Sequence, residues 1–479
     1  MSYPRLNSWT DVRREVAALW SLAWPILTGQ LASIGMAVAD VAMAGHYGAE
    51  DLAAVSLGAS VWSIVVVTLM GLMMSINPTV AHHVGAGESD RIGHVVRQGL
   101  WKSLIVGLVA FTLTNLAALV FDVMQIEPGV RDKAKMFVHI SSFGLPAFAA
   151  YRVLYGYSAS LNQTKPMMVI SIVALAFNIV ANYGLIYGNF GLPEMGGVGC
   201  AVATALGLWL VLIAMVWWIR RAPVYRDTNP FERFEGPKRE EISTLFRIGI
   251  PIGITYFAES SAFGLIALLV AKFGAVEVAA HQIALNFSSL VFMVPLSLGL
   301  GLITRVGHAL GEGDPRAARF RSWVGVGLAL ILAVLSATLI AAGNDLIAAA
   351  YTSDLAIARL AAHLLIFAAL FQLSDATQVA TSCAIRGYKV TRPPMVIHMT
   401  AFWGFSLPLG CALGLAPDWL PWRPERPLAA EGFWISLVVG LTVAAVLLCW
   451  FLARLTRRWI DEREPDKTAI GERLAGEQK

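Results

Sequence analysis

Residues 248–271 read IGIPIGITYFAESSAFGLIALLVA, with Glu259 as the single charge. A helix rises about 1.5 Å per residue, so about 20 mostly apolar residues cross the hydrocarbon of a bilayer. The stretch is long enough to cross, and in water its apolar sides would have nothing to pack against. Windows of the same kind recur near 18–45, 53–81, 97–121, 133–160, 166–187 and 197–219, then near 246–271, 279–307, 321–342, 358–385, 393–415 and 432–455. Composition agrees with a chain that mostly avoids water: 57% of residues are hydrophobic and 14% charged, against about 25% charged in soluble domains. The expected fold is an all-α integral membrane protein of twelve transmembrane helices.

The most polar stretch lies between the two sets of windows and carries Arg220, Arg221, Arg226, Arg233, Lys238, Arg239 and Arg247. It divides the chain into an N-lobe (1–219), a cytoplasmic linker (220–247), a C-lobe (248–460) and a cytoplasmic tail (461–479). With the N-terminus inside, 28 of the 36 Lys and Arg flank inner segments and six fall in outer loops. Positive charge marks the cytoplasmic side, so both termini are expected there. Met1–Ala17 is polar and lacks the short apolar core of a cleavable leader, which makes the first apolar stretch a signal anchor. Net charge is +4 without a basic, aromatic-interleaved tract, so no nucleic-acid partner is expected. Cys200, Cys383, Cys411 and Cys449 sit inside apolar windows and read as small buried hydrophobes.

The two halves repeat each other. Tyr47–Arg91 aligns without gaps on Phe273–Ala317 at an offset of 226, and both copies contain His-x-x-Gly-x-Gly followed by an acid. The motif residues pair as His82/His308, Gly85/Gly311, Gly87/Gly313 and Glu88/Asp314. Thr164-Lys165-Pro166 likewise matches Thr391-Arg392-Pro393. Six spans per half make the copies parallel, so two pseudo-symmetric six-helix lobes related about the membrane normal are expected, with a cleft between them suited to alternating access. His82 and His308 read as parts of a loop turn rather than ligands. Pro25, Pro251 and Pro295 are candidate kinks.

An ionisable side chain at mid-membrane costs about 2.5–3.5 kcal/mol on insertion scales, so it needs a partner or a wet cavity. Three acids meet that condition: Glu259 lies near mid-depth of its window, Asp375 well inside its own, and Asp40 in the outward-leaning part of the first. Each belongs to a polar stripe at helical spacing: Asp375 with Gln378 and Ser382, Glu259 with Thr255, Asp40 with Ser33. Two further stripes are Gln282, Asn286 and Ser289, and the pair Asn178 and Asn182. Carboxylates among amide and hydroxyl oxygens suit Na⁺, while the same acids in apolar surroundings suit a proton. The plainer alternative is that the amides and hydroxyls merely hydrogen-bond neighbouring helices.

Met36–Gly48 (MAVADVAMAGHYG), Phe177–Gly184 (FNIVANYG), Ala279–Leu290 (AAHQIALNFSSL) and Phe371–Tyr388 (FQLSDATQVATSCAIRGY) resemble the MATE multidrug exporters of the NorM type, over nearly the whole chain. The resemblance implies export of cationic, amphipathic organic molecules in exchange for Na⁺ or H⁺, with no cofactor, from a bacterial-type inner membrane. It implies that Glu259 and Asp375 are the C-lobe cation-site acids, and the Na⁺ ligands if sodium is the coupling ion. Asp40 corresponds to the N-lobe acid with Asn178 beside it, and Gln282 and Asn286 to a polar pair on the eighth helix. Asp354 matches an outer acid near the drug path, or is simply an exposed loop acid. Phe371 departs from a pattern that carries tyrosine in some relatives, which removes one possible oxygen ligand. A lipid-linked precursor flippase of similar two-lobed architecture is the alternative; it would want a basic cavity, and the deep charges here are acidic. An intramembrane enzyme is disfavoured, since the chain has neither Asp-x-x-Asp nor His-Glu-x-x-His. Two lobes in one chain complete a cleft without a partner, so a monomer in the lipid bilayer is expected.

Overall fold

A computed structural model describes residues 8–123, 126–417, 424 and 426–463. The tail beyond Arg463 and the outer-loop Arg423, both used in the charge reading, lie outside the described residues. Helices α1 (Trp9–Tyr47), α2 (Ala49–Met73), α3 (Ile76–Gly85), α4 (Ser89–Ala117), α5 (Val120–Val123), α6 (Pro128–Ser142), α7 (Leu145–Ser160), α8 (Lys165–Tyr187) and α9 (Val198–Arg221) make up the first half. The second comprises α10 (Arg239–Val270), α11 (Ala275–Gly311), α12 (Pro315–Tyr351), α13 (Leu355–Gly387), α14 (Arg392–Met399), α15 (Leu407–Leu415) and α16 (Ala429–Arg463). A π-helical segment, Thr400–Ser406, joins α14 to α15. Among the described residues eleven helical runs are long and apolar enough to span a membrane. The count reaches twelve when α6 and α7, bent by 43° to one another, are taken as one span. A chain in hydrocarbon must satisfy each backbone group internally, which is why these windows become helices.

The breaks fall where proline withholds a donor. Pro78 interrupts the second window, which separates into α2 and α3, and Pro146 follows the bend between α6 and α7. By contrast, Pro25, Pro251 and Pro295 sit inside helices that continue through them. Beside the α2–α3 break, Lys102 of α4 reaches both the Leu72 carbonyl and the Ser75 hydroxyl. Its Nζ donates to Leu72 O at 2.6 Å, Ser75 Oγ at 2.8 Å and Leu245 O of α10 at 3.1 Å. Lys102 is 0% exposed. Counted with an inner loop on sequence grounds, it is in fact a buried lysine that ties three segments together.

Two compact units emerge, each built around its own contacts. One contains residues 21–84 and 88–265. Within it α4 packs on α7, α8 on α9 and α2 on α6, around an apolar cluster that includes Met73, Ile76, Val96, Tyr157 and Met215. The polar linker is part of this unit. Tyr157 donates to Thr228 O at 3.0 Å, Arg97 bonds Glu235 at 2.8 Å, and Gln98 binds Gly236 O at 3.0 Å and Lys238 N at 2.7 Å. His94 bonds Glu235 through Nδ1 and lies 2.6 Å from Glu241 through Nε2. The Arg97 guanidinium, then His94, holds the Glu235 carboxyl far below the usual carboxylate range, at about 2.

The other unit takes residues up to Trp20, Gly85–Gly87 and Ile266 onward. Here α13 is central, flanked by α11, α12 and α16. Glu15 of α1 is buried and held by Arg305, whose Nε donates at 2.8 Å, with Arg321 close by. The repeated motif turns out to be a helix stop followed by a helix start. His82 and His308 lie in the last turns of α3 and α11, not in loops. Gly87 (φ 70) and Gly313 (φ 79) then take the left-handed conformation. Asp314 caps α12 by accepting from Ala317 N at 2.8 Å, whereas Glu88 pairs instead with His83 at 2.7 Å. The copies also touch: a Cβ on Gly85 would sit 2.1 Å from the His308 carbonyl oxygen.

Gly85 and Gly87 should therefore respond differently to substitution. Gly85→Ala forces a backbone shift and should cost about 1–3 kcal/mol. At Gly87 nothing lies within 4 Å of an added Cβ, so only the backbone conformation resists, by about 1–2 kcal/mol, and Asn should be tolerated there. Thermal unfolding of the detergent-solubilised protein distinguishes these cases; equal losses for Gly85→Ala and Gly87→Asn would refute the close-approach account.

Glu235→Gln should release the linker. Because the folded-state pKa is depressed, the ionised clasp is fully present above the ordinary carboxylate range and is lost only as pH falls towards about 2. Protease resistance across 226–239 should thus persist in the unmutated protein at pH 5. The variant should be cut several-fold faster at every pH tested, and identical cleavage rates would count against the clasp.

Candidate functional site

Two helices bring polar groups to Asp40 of α1. On α8, Asn178 and Asn182 stand one turn apart on the same face, and both amides donate to Asp40 Oδ1, at 3.2 and 2.6 Å. Thr204 of α9 donates to Oδ2 at 3.3 Å. The Asn182 amide also reaches Asn178 Oδ1 at 3.3 Å, and Cys200 Sγ lies 3.5 Å from the Asp40 backbone oxygen. Asn182 is 0% exposed and Asn178 is buried. Thr204 escaped the sequence reading because it stands alone in VATALG, with no polar neighbour at helical spacing. Only the packing of α9 on α8 discloses it.

The second carboxylate lies in the other unit. Asp375 is 2% exposed on α13, and Gln378, one turn on, donates from Nε2 to its Oδ1 at 3.0 Å. Behind Gln378 stands His398 of α14, whose Nε2 is 2.5 Å from Gln378 Oε1 and whose Nδ1 is 2.7 Å from Pro394 O. The sequence reading did not single out His398; it contacts the stripe from another helix. Ser382 completes the stripe as a buried hydroxyl with no hydrogen-bond partner among the described residues. Phe371 fills its place with apolar contact, edge-on to Trp434 at 5.9 Å between centroids. Trp434 in turn donates to His281 Nδ1 at 3.1 Å.

The remaining candidates are arranged less tightly. Glu259 is half-buried on α10 in the unit that also contains Asp40. Thr255, its stripe partner, bonds its own helix at Pro251 O, 2.9 Å. Ser33 and Ser289 do the same at Gly29 O and Leu285 O, the plainer role for a hydroxyl in a membrane helix. Gln282 and Asn286 are exposed on α11, and Asn286 Oδ1 accepts from Tyr351 OH at 3.1 Å. Asp354 caps α13 by accepting from Ala356 N and Ile357 N at 2.8 and 3.2 Å; that is a structural task for an outer acid.

Both acids are thus held by neutral donors, half-buried Asp40 by two amides and a hydroxyl and buried Asp375 by one amide. Such donors stabilise an anion without cancelling its charge, and they leave it able to exchange a small cation or a cationic group. Among the described residues no cluster of three or more His, Cys, Asp or Glu is placed to hold a metal ion, so the donor sets are mixed in kind.

Comparison with known proteins bears on the same segments. The sequence model of the MatE family matches residues 25–184 and 251–411, one block in each half. The chain is similar to "Multidrug resistance protein PmpM" of Pseudomonas aeruginosa, at 44% identity over 95% of this chain and 94% of that one. It is also similar to "Probable multidrug resistance protein NorM" of Chromobacterium violaceum, at 41% identity over 94% and 96%. Its fold is shared with the solved "eukaryotic MATE transporter AtDTX14", with a TM-score of 0.84 at 20% identity over 95% of this chain and 100% of the other. Both halves of the family pattern, and full-length relatives above 40% identity, place this protein in the MATE family of integral membrane proteins.

Proposed function

We propose that the protein is a cation-coupled antiporter that exports cationic, amphipathic organic molecules across a bacterial inner membrane by alternating access, with both termini cytoplasmic. The reading rests chiefly on Asp375, a carboxylate buried in a membrane helix whose donor is a neutral amide. The names of the relatives, which describe multidrug resistance proteins, favour the same substrate class. No cofactor enters the scheme; the coupling ion is Na⁺ or H⁺.

In this scheme a drug cation and the coupling ion compete for the same acids. Competition is what couples them, because a ligand shifts a conformational equilibrium only through unequal affinity for the two states. The drug neutralises the carboxylates from the inside, the chain changes access, and an external Na⁺ or proton takes its place. Asp375 and Glu259 serve in one half of the sequence, and Asp40, oriented by Asn178 and Asn182, in the other. Gln378 supports Asp375 directly, and Gln282, Asn286 and Asp354 stand further from the exchange.

Everted vesicles with ethidium supplied in the medium, and with Na⁺ and pH gradients imposed separately, test the scheme. Either gradient alone should drive ethidium transport and thereby name the coupling ion. Asp375→Asn should reduce that transport at least about tenfold with normal membrane yield, since a hydrogen bond to a charged group contributes about 1.5–3 kcal/mol. Unimpaired gradient-driven transport in that variant would end the competition scheme. Transport of labelled lipid-linked precursors, with ethidium unmoved by either gradient, would favour a flippase.

A further inference from the structure

The hydrogen-bond pattern behind Asp375 can be worked out atom by atom. Pro394 O is a backbone carbonyl and can only accept, so the His398 Nδ1 that faces it at 2.7 Å carries a proton. His398 Nε2 faces one end of the Gln378 amide at 2.5 Å, and the other end faces Asp375 Oδ1 at 3.0 Å. A carboxamide has one donating and one accepting end of nearly equal size, so it can turn over in place. Two arrangements are self-consistent. In the first, Gln378 donates its N–H to an ionised Asp375 and accepts at its oxygen from His398 Nε2, so the imidazole carries both protons. In the second, the amide is reversed: it donates to the bare Nε2 of a neutral imidazole and accepts from the O–H of a protonated Asp375. With the acid's proton, when present, on the oxygen that faces Gln378, any other combination sets two donors or two acceptors against each other in a buried place, where an unmade hydrogen bond is costly.

We propose that His398 is a positioning residue for Asp375, acting through the Gln378 amide to decide whether the acid meets a donor or an acceptor. The proposal rests on the coupling role given to Asp375 above and adds a residue from a different helix to it. His398, Gln378 and Asp375 are all buried, at 2%, 1% and 2% exposure, so water does not compete for these bonds. The backbone beyond His398 is a separate indication. It passes directly into the π-helical Thr400–Ser406, a rare form that is frequent at functional sites. Phe402 of that segment stacks on the imidazole, with centroids 6.5 Å apart and planes 22° from parallel. The neighbouring titratable groups are Asp375, Cys383 and Arg386 on α13 and, on α16, Cys449, whose Sγ lies 3.4 Å from Thr381 Oγ1. Arg386 is the one whose charge acts on His398.

The test compares ethidium transport against pH in everted vesicles for the unmutated protein, His398→Leu, His398→Gln and Asp375→Asn. Leucine removes both hydrogen bonds and leaves the Gln378 amide unaligned. His398→Leu should lower gradient-driven transport about tenfold and move the pH of half-maximal transport by about half a unit or more. Glutamine can present either end to Gln378 but cannot gain a second proton. His398→Gln should recover most of the rate while flattening the pH dependence. A uniform loss in His398→Leu with an unmoved pH midpoint, and no recovery with Gln, would show a packing role only and overturn the proposal. Should the leucine variant fail to fold, His398→Gln decides alone, and an unaltered pH profile there overturns it. The two readings separate cleanly. An inactive Asp375→Asn with an unmutated-like His398→Leu defeats the positioning role alone, whereas a fully active Asp375→Asn defeats the coupling role on which it rests.

Discussion

Absence of water in the hydrocarbon core governs this protein: each backbone group and each charge must be answered by the chain itself. Helices answer the backbone, and the places where they cannot are where the unusual side chains gather. At the α2–α3 break a buried lysine donates to a backbone carbonyl and a hydroxyl. At Asp40 two amides and a hydroxyl do the work of a hydration shell. At Asp375 a single amide does so, backed by an imidazole. Each arrangement offers directed donors where a soluble protein would use solvent, and so fixes geometry along with charge.

Much of the helix order was legible because span length is a physical requirement that composition must meet. The window near 166–187 matches Lys165–Tyr187, and that near 393–415 matches the run from Arg392 to Leu415. Breaks were harder to see. Pro78 and Pro146 interrupt their spans, while Pro25, Pro251 and Pro295 look the same in sequence yet leave their helices intact. At the site, Asn178 with Asn182 and Asp375 with Gln378 could be paired from helical spacing alone, since each pair shares a helix. Thr204 and His398 could not, because they meet their partners across helices. Lys102 was obscured for another reason: a lysine near the end of an apolar run looks like a loop flank until its acceptors are known.

The internal repeat shows how one motif carries two local solutions. Gly87 and Gly313 adopt the same left-handed conformation at equivalent positions. The acid that follows differs by one methylene. Asp314 is short enough to turn back on its own helix and cap it, and Glu88 reaches the preceding helix at His83 instead. The carboxylate sites diverge in a comparable way. One is built from asparagines a turn apart on a neighbouring helix, the other from a glutamine on the acid's own helix with a histidine behind it. Similar backbones thus carry different polar side chains around their acids.

Lys102 also bears on how the chain is made. A growing chain enters the membrane N-terminal segments first, so a lysine in α4 meets the bilayer before later helices exist. Two of its acceptors, Leu72 and Ser75, lie 30 and 27 residues upstream and have already been synthesised. The third, Leu245, lies 143 residues downstream. Two of the lysine's acceptors therefore already exist when it is inserted, and the third does not until α10 emerges from the ribosome. The residue that joins three segments in the finished protein is, during synthesis, a socket waiting for the second half of the chain.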